Sequence, residues 1–304
     1  MIRYESVRLT SRIDLLTKIE SFLGVCGWET HRKSDEILYA SDSLGNGGLI
    51  FKFMPHKVDC NENSSIYVCN TINKDETIYH QDGLKRVAHF KFQKQTPELD
   101  RVHLIGDDKN FTLYIDCDNA PLRFNLFFTA GWLNKTHEFS GGRVIYSSCY
   151  DLYSDASTIN FYDVYYQPYQ YPAFSQETQT FMSLGGVWEG MRVMNLRATK
   201  ILTNLINQSS DNQLSALSAM PLLNVGKSAL SGLYTMITPN FFYLNNQNVF
   251  VHAGDFDFVR VLNTKHEVKN GQILHLGDEK FIALRPCATY ENITNLYILA
   301  VKIA

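Results

Sequence analysis

The residues able to do chemistry fall into a few recognisable groupings, and each can be tested against the spacing its chemistry requires. Asn224-Val225-Gly226-Lys227-Ser228 ends like a phosphate-binding loop. The full loop needs a glycine five positions before Gly226, where this chain has Pro221. Without that glycine the backbone lacks one of the turns that aim its amides at phosphate, so a loop leading into a short helix is expected instead. His137-Glu138 and His266-Glu267 open like a zinc-protease helix. Neither has the second histidine four residues on that would share a helix face, so no metal ligand is assigned. Gly45-Asn46-Gly47-Gly48 runs into the strand-like Leu49–Met54 rather than a helix, which makes it a hairpin turn and not a dinucleotide loop.

Two carboxylate pairs remain, Asp116/Asp118 and Asp255/Asp257. Residues i and i+2 of a strand share a face, so either pair offers two acids for proton transfer or for a divalent ion. Both lie near expected strand ends, where Asp commonly serves solubility and turns. The six cysteines, Cys26, Cys60, Cys69, Cys117, Cys149 and Cys287, form no CxxC pair and read as small buried hydrophobes of a reduced protein. A catalytic Cys–His pair drawn from distant positions is left open by spacing alone. The expected catalytic, cofactor-binding and metal sets are therefore empty.

These groups need a scaffold, and the chain of 304 residues is long enough for one large domain or two closely packed ones. Net charge is −3, which gives no global basic field for nucleic acid or an anionic membrane. The short basic run His31-Arg32-Lys33 reads as a solvated loop. The 19 Phe and 17 Tyr favour pleated, half-buried surfaces and protein contacts. Met1–Arg12 has no apolar core of a secretory signal and no segment approaches ~20 apolar residues, so cytoplasmic synthesis is expected.

Ser11–Leu23 carries Ile13, Leu15, Leu16, Ile19, Phe22 and Leu23 at helical spacing, with Gly24 or Gly27 as the stop and Trp28 as a packing anchor. Strands are expected at 36–40, 49–54, 65–72, 88–93, 101–105, 111–116 and 122–129, with a turn at Gly106–Asn110. Phe124, Leu126 and Phe128 alternate with Asn125 and Phe127, which predicts a strand buried on much of both faces. Residues 191–206 carry Met191, Met194, Ala198, Ile201, Leu202 and Leu205 in a stripe that predicts a mid-chain helix, and 214–233 is ambiguous. Further strands are expected at 248–252, 256–262, 272–276, 280–284 and 296–303. The fold class is α+β, mainly β, with sandwich-like antiparallel sheets. The division expected is a main domain over 1–235, with helices at 11–24 and 191–206, and an antiparallel module over 236–304.

The segment Tyr146–Phe174 is rich in tyrosine and broken by Pro168 and Pro172. Tyr162, Tyr165, Tyr166, Tyr169 and Tyr171, with Trp132, are the candidate interface residues, since exposed aromatic stretches mark contact surfaces. Trp132, Tyr165, Tyr166 and Tyr169 also suit stacking on sugar rings.

The order of several landmarks resembles a family of tailed-bacteriophage virion structural proteins. They are a helix ending in Gly27-Trp28, a hairpin at Gly45–Gly48 with Leu49–Phe53, and the strands Phe111–Asp116 and Leu122–Phe128. Tyr169-Gln170-Tyr171-Pro172, Gly185-Gly186, Gly254-Asp255, Leu276–Ala283 and Tyr297–Val301 follow. The family's Tyr-Trp on the second central strand is Phe124-Asn125 here, with Trp132 further on. The resemblance implies a neck, tail or baseplate component, built as a symmetric multimer, that binds copies of itself and neighbouring virion proteins, and it carries over no catalytic residue; no cofactor, nucleic acid, membrane or small-molecule substrate is expected. The alternatives are a carbohydrate- or receptor-binding tail module and a hydrolase with a dispersed site, for instance Asp255 with Asp257.

Overall fold

A computed structural model describes residues 1–9, 13–45, 47–53, 64–90, 101–116, 125–147, 180–184, 187–194, 216–219, 236, 238–244, 250–263, 268–284 and 297–304. Within them the chain is mainly β, with one α-helix near its start. In chain order the elements are β1 (Arg3–Arg8), α1 (Ile13–Cys26), β2 (Glu29–Ser34), β3 (Ile37–Ser41), β4 (Gly48–Lys52), β5 (Ser64–Cys69) and β6 (Lys85–Phe90). Next come β7 (Arg101–Gly106), β8 (Phe111–Asp116), β9 (Asn125–Trp132), β10 (Asn134–Lys135), β11 (Gly141–Ser147), β12 (Thr180–Leu184), β13 (Val187–Met194) and β14 (Ala216–Ala219). The last are β15 (Asn240–Leu244), β16 (Phe250–Asp255), β17 (Val259–Asn263), β18 (Ile273–Leu276), β19 (Glu279–Leu284) and β20 (Tyr297–Lys302).

They form three sheets. The largest runs β1-β7-β8-β9-β11-β12-β13-β14-β15-β16-β10, the second is the meander β2-β3-β4-β5-β6, and the third is β17-β20-β19-β18. All pairings are antiparallel except β13 with β14.

The large sheet is a shared wall, and the period of two along its strands explains why. Leu104, Leu113, Leu126, Phe128 and Ile145 point into a core formed with the second sheet and α1. Their neighbours Ile105, Tyr114, Phe127, Val144 and Tyr146 point the opposite way, into a core formed with the third sheet. Successive residues of a strand face opposite sides, so a wall buried on both sides must be apolar at nearly every position. The two-sided burial expected of Leu126–Phe128 is what the structure has.

α1 lies in the first core because its apolar residues repeat every three or four positions. Leu15, Leu16, Ile19, Phe22, Leu23 and Cys26 are all buried, whereas Thr17, Lys18 and Ser21 are exposed. Gly27, with φ of 93°, ends it. There the Trp28 amide donates to the Leu23 carbonyl at 3.0 Å, the long-range bond of a glycine-terminated helix.

Two sequence expectations are corrected. The helix expected over 191–206 starts as strand: residues 191–194 belong to β13, paired with β12 and β14, while 195–206 lie outside the described residues. Met191 and Met194 have helical spacing, but they sit in a run with Val187, Trp188 and Val193, which suits a pleated strand. His31-Arg32-Lys33 is also not a loop. It lies in β2, the edge of the second sheet, where Arg32 pairs with Glu20 of α1 at 2.8 Å and Lys33 Nζ donates to the Lys74 carbonyl at 2.7 Å.

Candidate functional site

The most unusual side chain of the described residues is Arg143, which is wholly buried at 0% exposure. It sits on β11 two residues before Ile145 and therefore points into the first core. Gly141 and Gly142, with φ of 95° and 94°, bring the chain into β11 just ahead of it. The Arg143 amide donates to Ser183 Oγ of β12 at 3.0 Å, which fixes the backbone there.

The guanidinium lies among three elements. Asp42, at the end of the β3–β4 hairpin, places Oδ2 3.7 Å from Arg143 Nη1, and both side chains are fully buried. The face of Trp28 lies 5.5 Å from the guanidinium carbon, a cation–π arrangement. Gly47 packs directly on it, and a Cβ at that position would run into Arg143 Nη1. Among the described residues Nε, Nη1 and Nη2 have no hydrogen-bond partner. Burial pulls the guanidinium below its ordinary pKa, and the Asp42 carboxylate opposes that shift.

Around this cation runs a closed ring of contacts that joins two of the three tryptophans, Trp28 and Trp132. Trp28 Nε1 donates to the Asp107 carbonyl at 2.7 Å. Asp107 Oδ1 accepts the Asn110 amide at 2.8 Å, closing the β7–β8 turn. Asn110 Oδ1 in turn accepts the Trp132 amide at 3.3 Å. Trp132 Nε1 donates to Asp42 Oδ2 at 2.8 Å, and Asp42 Oδ1 accepts the Leu44 amide at 3.1 Å. Asp42, Arg143 and the face of Trp28 complete the circuit. Four places in the chain are pinned by it: the end of α1, the β3–β4 turn, the β7–β8 turn and the β9–β11 pair.

This ring holds a charge in place and contains no group poised for proton transfer or nucleophilic attack. The nearby Cys69 thiol is pushed up to about 12, mainly by burial, so it is a protonated thiol at neutral pH. Cys26 is pushed up to about 11, again mainly by burial. Neither is an activated nucleophile.

The other candidates separate in space or lie outside the described residues. Asp255 is taken by His252, with Oδ1 2.9 Å from Nε2, and Asp257 by Arg260 at 3.3 Å and by Asn134. The two acids thus serve different partners. Asp116 Oδ2 accepts from Asn270 Nδ2 at 2.9 Å, and Asp118 is not among the described residues. His137 Nε2 is hydrogen-bonded to the Tyr243 hydroxyl at 2.8 Å, inside a packed group with Phe139 whose ring centroids are 5.5–5.9 Å apart. Tyr162, Tyr165, Tyr166, Tyr169, Tyr171, His266, Glu267 and Gly226–Ser228 are outside the described residues. Trp132 is half-buried, and its indole N–H is used within the chain.

One further buried polar group stands on the opposite face of the large sheet. His103 of β7 is 4% exposed, stacked on Tyr4 of β1, and hydrogen-bonded through Nδ1 to the Tyr4 hydroxyl at 3.0 Å. Burial, with a smaller contribution from Arg101, lowers its pKa to about 4.

Sequence reasoning passed over Arg143, Asp42 and His103. A signal for Arg143 existed: one charge inside Gly-Gly-Arg-Val-Ile-Tyr, a run otherwise suited to a buried strand. Among the described residues no cluster of three or more His, Cys, Asp or Glu is arranged to hold a metal ion, and no helix is long and apolar enough to cross a membrane. No protein-family model matches the chain, and no curated protein matches it.

Proposed function

We propose that this chain is a structural subunit of a tailed-phage virion, acting at the neck, tail or baseplate through contacts with its own copies and with neighbouring virion proteins. The observation that supports the reading is a pair of strand edges left without a neighbour among the described strands of a multilayer β body. β1 ends the large sheet with most of its residues exposed, and β18 ends the third sheet with Ile273 and Leu276 exposed. An exposed edge is a template for a strand of another chain, and apolar side chains on it add contact area. The landmark order in the sequence supports the same assignment. The described polar centres favour it over a hydrolase, since the ring around Arg143 is built to hold and Asp255 and Asp257 have separate partners.

The test is proteomics of purified particles from a phage encoding this chain, together with light scattering of the isolated protein. Presence in the particle at a fixed stoichiometry and self-association in solution are expected. A protein absent from particles, or one with glycosidase or peptidase activity abolished by Asp255→Ala, overturns the reading.

A further inference from the structure

We infer that β1 is a self-complementary edge through which two copies pair antiparallel, extending the large sheet across a twofold axis. This rests on the self-assembly reading above and adds the surface and its register.

Among the described strands β1 pairs with β7 alone, so its other edge has backbone amides and carbonyls with no described strand beside them. Arg3 and Glu5 are exposed, lie two residues apart and therefore share a face. Neither has an ion-pair partner among the described residues. Charges on an edge commonly prevent strand addition. Opposite charges at this spacing instead select one partner and one register, because the sequence complements its own reverse.

The in-phase registers can be compared directly. Centring the pair on Tyr4 sets each Arg3 opposite Glu5 of the second copy and each Glu5 opposite Arg3, with the two Tyr4 residues facing each other. Centring on Glu5 sets the two acids against each other. Centring on Ser6 sets Glu5 against Val7 and Tyr4 against Arg8, leaving the acid unpaired. Opposite-charge pairs directly across strands stabilise and like pairs destabilise, so the Tyr4-centred register wins. Tyr4 is suited to the axis because it is 38% exposed while its ring is held by stacking on His103.

A pair of six-residue strands falls short of the ~1,000 Å² of a stable interface, so association in solution is weak without other contacts. Sedimentation equilibrium up to about 0.5 mM protein covers that range. The parent is expected to dimerise. Arg3→Glu and Glu5→Arg each turn two attractive pairs into two repulsive ones and are expected to weaken the dimer about tenfold or more. The double variant Arg3→Glu/Glu5→Arg restores both attractions and is expected to match the parent. An equimolar mixture of the two single variants also restores them, as a heterodimer. Circular dichroism melts of every variant show whether the fold is retained; the mixture reads pairing even where a single variant is destabilised. Single variants that associate like the parent, or a mixture that does not recover, overturn the β1 register and leave self-assembly through another surface standing. A parent that stays monomeric throughout overturns both.

Discussion

The two faces of the large sheet are held in different ways. Toward the second sheet and α1, the wall carries a buried cation, a buried carboxylate and two tryptophans linked in a ring. Toward the third sheet it is mostly aliphatic and aromatic, with Tyr114, Phe127 and Tyr146 packed edge to face and no buried ion pair among the described residues of that core. Apolar packing tolerates small slips, since area and volume carry most of its energy. A ring of directed contacts does not, because a slip strands a buried charge. The difference assigns roles: the polar face specifies register among distant parts of the chain, and the apolar face supplies bulk adhesion.

The sharpest way to break that comparison is Asp42→Ala, which leaves Arg143 buried without its counter-charge. A loss of about 3–5 kcal/mol in chemical denaturation is expected. Asp42→Ala combined with Arg143→Met should recover much of it, since an apolar replacement of a buried pair is often close to neutral. If the single variant loses under about 1 kcal/mol, the range typical of an exposed pair, Arg143 is not under the constraint described.

Next in size is His103, a buried titratable group on the face toward the third sheet. The folded pKa of His103 is about 4, below its ordinary 6.5, so the unfolded chain binds the proton first as pH falls. Its contribution is fully present above about pH 6.5 and is lost progressively toward pH 4, by an amount on the order of 3 kcal/mol. His103→Phe should flatten that part of the stability-against-pH curve. An unchanged slope in the variant would assign the acid sensitivity elsewhere.

Trp132→Phe removes the N–H that Asp42 accepts, together with part of the indole ring. About 1.5–3 kcal/mol is expected, as for a hydrogen bond to a charged group. The hydrogen-bond part of the effect should vanish in the background lacking both Asp42 and Arg143, which a double-mutant cycle reads directly. Smallest of all, Glu20→Gln breaks the partly exposed pair with Arg32 and should shift stability by less than about 1 kcal/mol.

Much of the scaffold was legible where burial imposes a simple period. β8 has the bounds expected for it, α1 and its glycine stop follow the apolar spacing, and the alternation at Leu126–Phe128 named a wall with two buried faces. The strands that escaped include β10, β11, β12, β14 and β15, and three whose sequences lack such a period. β1 and β2 are edges with exposed, charged residues, so their sequences RYESVR and ETHRKS look like loops. β13 was masked by methionines at helical spacing. The polar ring was illegible for a different reason: Asp42, Asp107, Trp132 and Arg143 meet through turns far apart in sequence. A lone tryptophan reads as a surface anchor until the carboxylate 90 residues away is placed beside it.

The pairing of β1 with β7 also sets an order of events during synthesis. Arg3 meets Gly106, so the first strand has no partner until the chain has grown past the end of β7. By then the meander β2–β6 has emerged, and its hairpins close through local contacts. Until that point the first strand is an unpaired segment with both edges open, able to meet another nascent copy as readily as its own sheet. Chains translated side by side from one message would therefore be the first to present these edges to each other.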